Sequence, residues 1–462
     1  MAKASQPFGD TAFRGYRCSK DINPKGPRKG VAGPPNREEK TMPDTKKTPT
    51  SRRGFIKAAS AVTAATGIGF PFISRAQDKP IRIGMPTILS GRVAQLGISS
   101  RNAVLTEVEK FNASGGLGGR KIEIITRDSK GKPDEAANNT RQLINGDGCE
   151  IIIDAEASSG AFAVQEVIRE LKVLCLHTNS ETSSLSADPK IRVPTAFRTA
   201  RQGIHDAIVS AGYAANIAKA KGLKTWMSCS PDYAYGRDNT ALFLQYLKRF
   251  QPDVEVVGEA WPKLFQADYT ENITKILQAK PQALYSALWA GDLVSFVDQA
   301  GIYNLLAQTN MFAINMADYT TLTAVKNLPH GIHSASRYIK TFPATAENAA
   351  WADAYKLKYG DYPTNWSWEN ATAMNFIVTA MKKTNSTDSA KLADAIRGMK
   401  IKSPFGADGT ITMRAEDQTT IGYALGWGMT IPKEPYVPNV TPGDWKVILE
   451  HEAEWKKTMG YT

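Results

Sequence analysis

Two successive series of short apolar runs, each run followed by an amphipathic stretch, constrain this 462-residue chain more than any single motif does. The first series is "IRIGMP" (81–86), "KIEIIT" (121–126), "CEIIID" (149–154) and "VLCLHT" (173–178). The second is "LKTWMSCS" (223–230), "VEVVGEAW" (254–261), "QALYSALWA" (282–290) and "NMFAINMA" (310–317). Short apolar runs of this kind suit strands buried on both faces. The stretches between them carry the helical period, as where Val104, Val108 and Phe111 share one face. Strand–helix alternation predicts parallel sheets covered by helices, and two such series predict two α/β lobes. The last third changes character: "AENAAWADAYKLKYGDYP", "WENATAMNFIVTAMKKTN" and "STDSAKLADAIRGM" read as consecutive helices, the third capped by Ser386 or Thr387.

Charge matters here only through its distribution. The formal net charge of +12 suggests a nucleic-acid or membrane partner, but residues 1–76 hold 15 Lys/Arg against 5 Asp/Glu. The other 386 residues hold 42 against 40, so the body is nearly neutral and no nucleic-acid partner is expected. Met1–Thr41 reads as a disordered or untranslated extension, with Met42 opening a leader of ordinary length. In that leader (42–76), Ser51-Arg52-Arg53-Gly54-Phe55-Ile56-Lys57 precedes the apolar stretch Ala58–Ile73, and Ser74-Arg75-Ala76 sets small residues where a leader peptidase reads. The segment resembles a twin-arginine export signal, with Ile56 in place of Leu. The resemblance implies passage through the twin-arginine translocation machinery and a periplasmic location. Cys149, Cys175 and Cys229 follow the leader without CxxC or metal spacing; they read as buried thiols, with a Cys149–Cys175 bridge left open.

Enzyme chemistry finds little support in the residues. There is no G-x-S-x-G elbow, and the one close histidine pair, His330 and His333, follows Pro329 with no acidic partner nearby. "GGLGGRK" (115–121) stands after a helix and before a strand, the reverse of a phosphate loop, and reads as a tight turn. No cofactor, metal site or catalytic residue is expected.

From Ile81 to about Gly428 the chain resembles periplasmic substrate-binding proteins of ABC importers, in the leucine/isoleucine/valine-binding branch. The segments that carry this are "PTILSGRVAQLG" (86–97), "FNASGGLGGRKIEIITRDSKGKPDEAANNTRQLI" (111–144), "AFRT" (196–199), "DYAYGRD" (232–238), "YKLKYGDYP" (355–363) and "STDSAKLADAIRGM" (386–399), in order. The resemblance implies two Rossmann-like lobes joined by a three-crossing hinge. Lobe 1 would hold 77–199 and 335–429, and lobe 2 would hold 200–334 and 430–462. It also implies a monomer that closes on a small carboxylate-bearing ligand, such as a branched-chain amino acid, and delivers it to an ABC permease. A binder of an aromatic or other non-amino acid or amide in the same role, or a sensory module of the same fold, are the alternatives.

Ligands in open α/β sheets gather beyond the C-terminal strand ends. After "EIIID" come Ser158 and Ser159 at a helix start, where hydroxyls and free N–H groups favour an anion. The family's serine loop holds the ligand carboxylate there; a plain helix cap is the competing reading. After "VLCLH" come Thr178 and Asn179, with Asn179 and the acidic Glu181 departing from the family's small-residue loop. By resemblance, Tyr235 and Trp289 cover the ligand from the second lobe and Asp318 receives an ammonium. The family's acid falls one or two positions earlier, at Met316 and Ala317, so Asp318 also reads as a helix N-cap. Without a carboxylate in the cleft a buried ammonium would be unpaired, which favours an acid lacking an amine. Arg92, beside Gln95, either pairs the ligand carboxylate or stays solvated.

Overall fold

The computed structural model describes residues 79–462; the segments expected to be an extension (1–41) and a twin-arginine leader (42–76) lie outside the described residues. The first apolar series forms β1 (Ile81–Thr87), β2 (Ile122–Asp128), β3 (Ile151–Asp154), β4 (Leu174–His177) and β5 (Ala196–Arg198). These pair in parallel in the order β2-β1-β3-β4-β5. β3 and β4 are buried along their whole length, as expected of strands covered on both faces. Helices α1 (Gln95–Ala113), α2 (Pro133–Arg141), α3 (Ser158–Leu171) and the short α4 (Ser184–Ala187) connect them. Leu117 and Arg120 close the tight turn of the Gly-rich stretch before β2.

The second series forms β6 (Thr225–Cys229), β7 (Glu255–Ala260), β8 (Ala283–Ser286) and β9 (Asn310–Ala313), followed by the two-residue β10 (Ala317–Asp318) and β11 (His333–Tyr338). Helices α5 (Gly203–Lys221), α6 (Ala234–Phe250), α7 (Thr270–Ala279), α8 (Ala290–Ile302) and α9 (Tyr319–Leu322) accompany them. The three late helices are α10 (Ala346–Tyr359), α11 (Asn365–Thr384) and α12 (Ser389–Ile396). α11 lies along α1 and returns the chain to the first lobe. A small antiparallel sheet follows, made of β12 (Lys400–Lys402), β13 (Thr410–Met413) and β14 (Thr420–Ile421). It is tied to β5 through Gln418, whose amide donates to the Ala196 carbonyl at 2.7 Å. The chain ends with β15 (Gly426–Met429), β16 (Thr441–Pro442) and α13 (Trp445–Met459), which packs on α5. The second sheet runs β16-β15-β11-β9-β8-β6-β7, with β15 and β16 antiparallel at its edge.

The chain therefore crosses between the sheets three times: after Arg198, after Tyr338 and before Gly426. Two boundaries shift from the sequence reading. Residues 335–338 and 426–429, expected in the first lobe, are strands of the second sheet. The reason is that β11 is "HSASRY", with no apolar run to mark it, yet every one of its residues is buried. Cys149, Cys175 and Cys229 are buried free thiols, so the Cys149–Cys175 bridge left open above is not formed. Among the described residues no helix is long and apolar enough to cross a membrane.

Strand order places the site. The order in which successive strands are added reverses between β1 and β3 in the first sheet and between β6 and β8 in the second. A crevice opens beyond the strand ends at such a switch point, and the two crevices face each other.

Candidate functional site

A cavity with about 460 Å³ of empty space, counting the part open to solvent, lies between the lobes and is walled by both. The first lobe contributes Leu96 at the start of α1, Ala157 and Ser158 after β3, and Asn179 and Glu181 after β4. Asn365 and Trp366, at the start of α11, complete that side. Across from them stand Tyr233 and Tyr235 after β6, Trp289 and Ala290 after β8, Asn315 after β9, and then Asp318, Thr320 and Arg337. Five of the nine residues expected from sequence thus reach the cavity: Ser158, Asn179, Tyr235, Trp289 and Asp318.

Ser158 is the first residue of α3, not its cap; Ala157 holds the cap position and supplies no side-chain bond. Its hydroxyl accepts from the Ser180 hydroxyl at 3.2 Å. The first N–H groups of a helix have no partner within it, so the start of α3 offers the cavity donors and the positive end of a helix dipole. Asn179 is held by its own lobe: its amide donates to Ser100 Oγ at 3.0 Å and accepts from Asn370 at 2.9 Å.

Aromatic rings form much of the opposite wall. Trp289 meets Trp366 of the other lobe edge to face, with ring centroids 5.7 Å apart. The Tyr235 hydroxyl accepts from the Asn315 amide at 3.0 Å, which fixes its ring against the cavity. Large rings cover ligand area with few torsions to freeze.

Asp318 proves to be a cap for two helices. Its Oδ1 accepts from the Thr320 N–H and hydroxyl at 2.9 and 2.7 Å, at the start of α9. Its Oδ2 accepts from the Asn365 N–H at 2.7 Å, at the start of α11 in the other lobe. Burial raises its carboxyl pKa, and the bonds from Thr320 and Asn365 oppose that rise.

Two further charged groups on the wall were not singled out by sequence reasoning as ligand contacts. Glu181 and Arg337, 5% and 4% exposed, pair with each other across the cleft. Arg337 also donates to Asp206 at 2.8 Å, and Asp206 accepts from Arg201 at 2.6 Å. Behind them Glu369 accepts from the Arg201 N–H at 2.8 Å and from the Asn365 amide at 2.9 Å; burial pushes its pKa up. Glu181 was legible as an acid at a strand end. Arg337 sits in the polar strand β11, and Trp366 comes from a distant helix, so neither carried a local signal.

Four expected residues lie elsewhere. Thr178 is buried behind the wall, its hydroxyl donating to the Asp154 carbonyl at 3.0 Å. Ser159 is half-buried, one position further round the α3 helix, and Gln95 is exposed. Arg92 is not part of the cavity wall and remains exposed, although its guanidinium is tethered. It spans the lobes outside the cavity, donating to the Gly291 carbonyl at 3.1 Å and meeting Asp292 at 3.4 Å and Ser295. Its loop extends past the strand end, which carries the guanidinium over the rim to α8.

Residues 80–425 match the family described as periplasmic binding protein. The chain is 25% identical over 397 residues to the Leu/Ile/Val-binding protein homolog 4 of Brucella abortus (strain 2308), covering 79% of this chain and 87% of that one. In structure it is similar to a solute binding protein of an ABC transporter from Rhodopseudomonas palustris BisB5 in complex with 3,4-dihydroxybenzoic acid. That likeness has a TM-score of 0.70 and 22% identity, over 78% of this chain and 95% of the other. It is also similar to a solute binding protein of an ABC transporter from R. palustris in complex with benzoate, with a TM-score of 0.68 and 18% identity, over 79% and 95%.

Proposed function

The chain belongs to the periplasmic binding protein family, and from that premise we propose that it captures a small carboxylate-bearing solute between its lobes and hands it to an ABC permease. A branched-chain amino acid or a related compound is the ligand class, with capture in the periplasm by a monomer exported through its twin-arginine signal. The observation that carries this reading is the cavity at the facing switch points, walled by residues of both lobes. A solute that touches both walls stabilises the closed arrangement by its differential affinity for it. The ligand carboxylate meets the Ser158 hydroxyl and the N–H groups at the start of α3. Trp289 and Tyr235 cover the opposite side.

A second reading, an aromatic acid without an amine, is favoured by the aromatic wall of Trp289, Trp366, Tyr233 and Tyr235. Two structural relatives hold 3,4-dihydroxybenzoic acid and benzoate. A thermal-shift screen of the purified chain against branched-chain amino acids, amides and aromatic acids separates the two. A ligand at 100 times its Kd adds about 2.7 kcal/mol of stability. Stabilisation by no member of the screen, or recovery of a chemically altered ligand, defeats the proposal.

A further inference from the structure

Among the described residues, Glu181 is the one carboxylate on the cavity wall that has an oxygen without any hydrogen bond. Its Oε1 is taken by Arg337, while Oε2 is buried without any hydrogen-bond partner. Such an acceptor costs free energy unless something donates to it, and it lies on the wall that a ligand would touch. Asp318 has less capacity, because both its oxygens are already engaged, taking three hydrogen bonds from Thr320 and Asn365.

The charges nearby point the same way. Arg337 and Arg201 are the cations of this cluster, and Glu181 and Asp206 bind them. A bare carboxylate entering the cavity therefore brings a negative charge, and among the described residues the cation on the wall, Arg337, is already paired. A zwitterion brings no net charge: its carboxylate has the Ser158 hydroxyl and the start of α3, and its other pole needs an acceptor on the same side.

We propose that Glu181 is the residue that selects for an amine, receiving the ligand's ammonium on Oε2 from the first lobe, while Arg337 holds Oε1 from the second. The assignment rests on the reading of the interlobe cavity as the ligand site. It moves the amine receptor from Asp318, which capping commits elsewhere, to a loop after β4 on the carboxylate-binding side. It also makes the Glu181–Arg337 pair a contact that both lobes must complete around the ligand. A Gln at this position can still accept from Arg337 through its amide oxygen, so the substitution removes the charge with little change of shape.

The test is calorimetric titration with two matched pairs: leucine against 4-methylpentanoate, and phenylalanine against 3-phenylpropanoate. The wild-type chain, Glu181→Gln, Glu181→Asp and Asp318→Asn are compared, each read as the ratio of affinities within a pair. The expected result is a wild-type preference for the amine-bearing member that falls about tenfold or more in Glu181→Gln. Glu181→Asp keeps part of the preference, and Asp318→Asn weakens both members of a pair alike. A preference unchanged in Glu181→Gln, or one that collapses in Asp318→Asn instead, overturns the assignment and leaves the capture reading standing. Wild-type preference for the amine-free acids does the same. Failure of the wild type to bind any of the four compounds counts against the proposed ligand class itself, and the assignment falls with it.

Discussion

Trp289 holds the N-cap position of α8 and turns its ring toward Trp366 of the other lobe, so a single side chain both covers the cavity and touches the far wall. Trp289→Ala should weaken ligand binding by about 1–3 kcal/mol, the scale of burying one large side chain; titration calorimetry reads this directly. His333 gives a residue-scale prediction away from the cavity. Burial, followed by the charge of Lys221, lowers its pKa from 6.5 to about 4. The Tyr213 hydroxyl lies 2.9 Å from its Nδ1 and donates there only while the ring is neutral. Because the unfolded chain takes up the proton first, stability is complete above pH 6.5 and declines as the pH falls toward 4. His333→Gln should flatten that part of the melting-temperature profile. An equally steep decline in the variant would place the acid sensitivity elsewhere. Trp289 and Tyr235 were legible because the strand-end rule and the family resemblance both point at them. Arg337 was hidden because a polar strand buried on both faces carries no apolar pattern.

At the scale of elements, close backbone approach does much of the positioning. α6 begins hard against the loop after β6: a Cβ on Gly236 would stand 1.9 Å from the Pro231 carbonyl oxygen. Gly236→Ala should therefore cost about 1–3 kcal/mol of stability in denaturant unfolding, since backbone has to give way. It should also lower ligand affinity, because Tyr235 is the preceding residue on the same turn. Most elements followed from period and punctuation, including the three late helices. The cap of α12 did not: Asp388, not Ser386 or Thr387, accepts the Lys391 N–H at 2.9 Å. Three cap-forming residues stand in a row there, and only the path of the preceding turn decides which one meets the helix.

For the whole molecule, the proposed capture turns on closure, and contacts between the lobes outside the cavity bear on it. Arg92 reaches from the first lobe to Gly291, Asp292 and Ser295 of α8. Phe265 of the second lobe comes so near Gly131 of the first that a Cβ there would lie 2.9 Å from its ring. Neither contact involves a ligand, so under that proposal both would bias the open–closed balance that sets apparent affinity. Arg92 is partly exposed, so solvent screens its side of the ion pair with the buried Asp292. Arg92→Ala should raise Kd by a few-fold, and small-angle scattering should find the liganded variant less compact than the liganded wild type. Equal scattering curves would mean that the ligand alone sets the closed state.

The sequence by itself determined the two α/β series, the order of their elements, and the loops from which a ligand site had to be built, because periodicity and strand-end position are local properties. Which acid is free, which is committed to capping, and which arginine faces it were decided only when the lobes came together. Those assignments depend on hydrogen bonds between residues far apart in the chain: Asp318 with Asn365, Glu181 with Arg337, and Arg92 with Gly291. A local pattern carries no record of such pairings, since each partner's surroundings are complete only in the folded molecule.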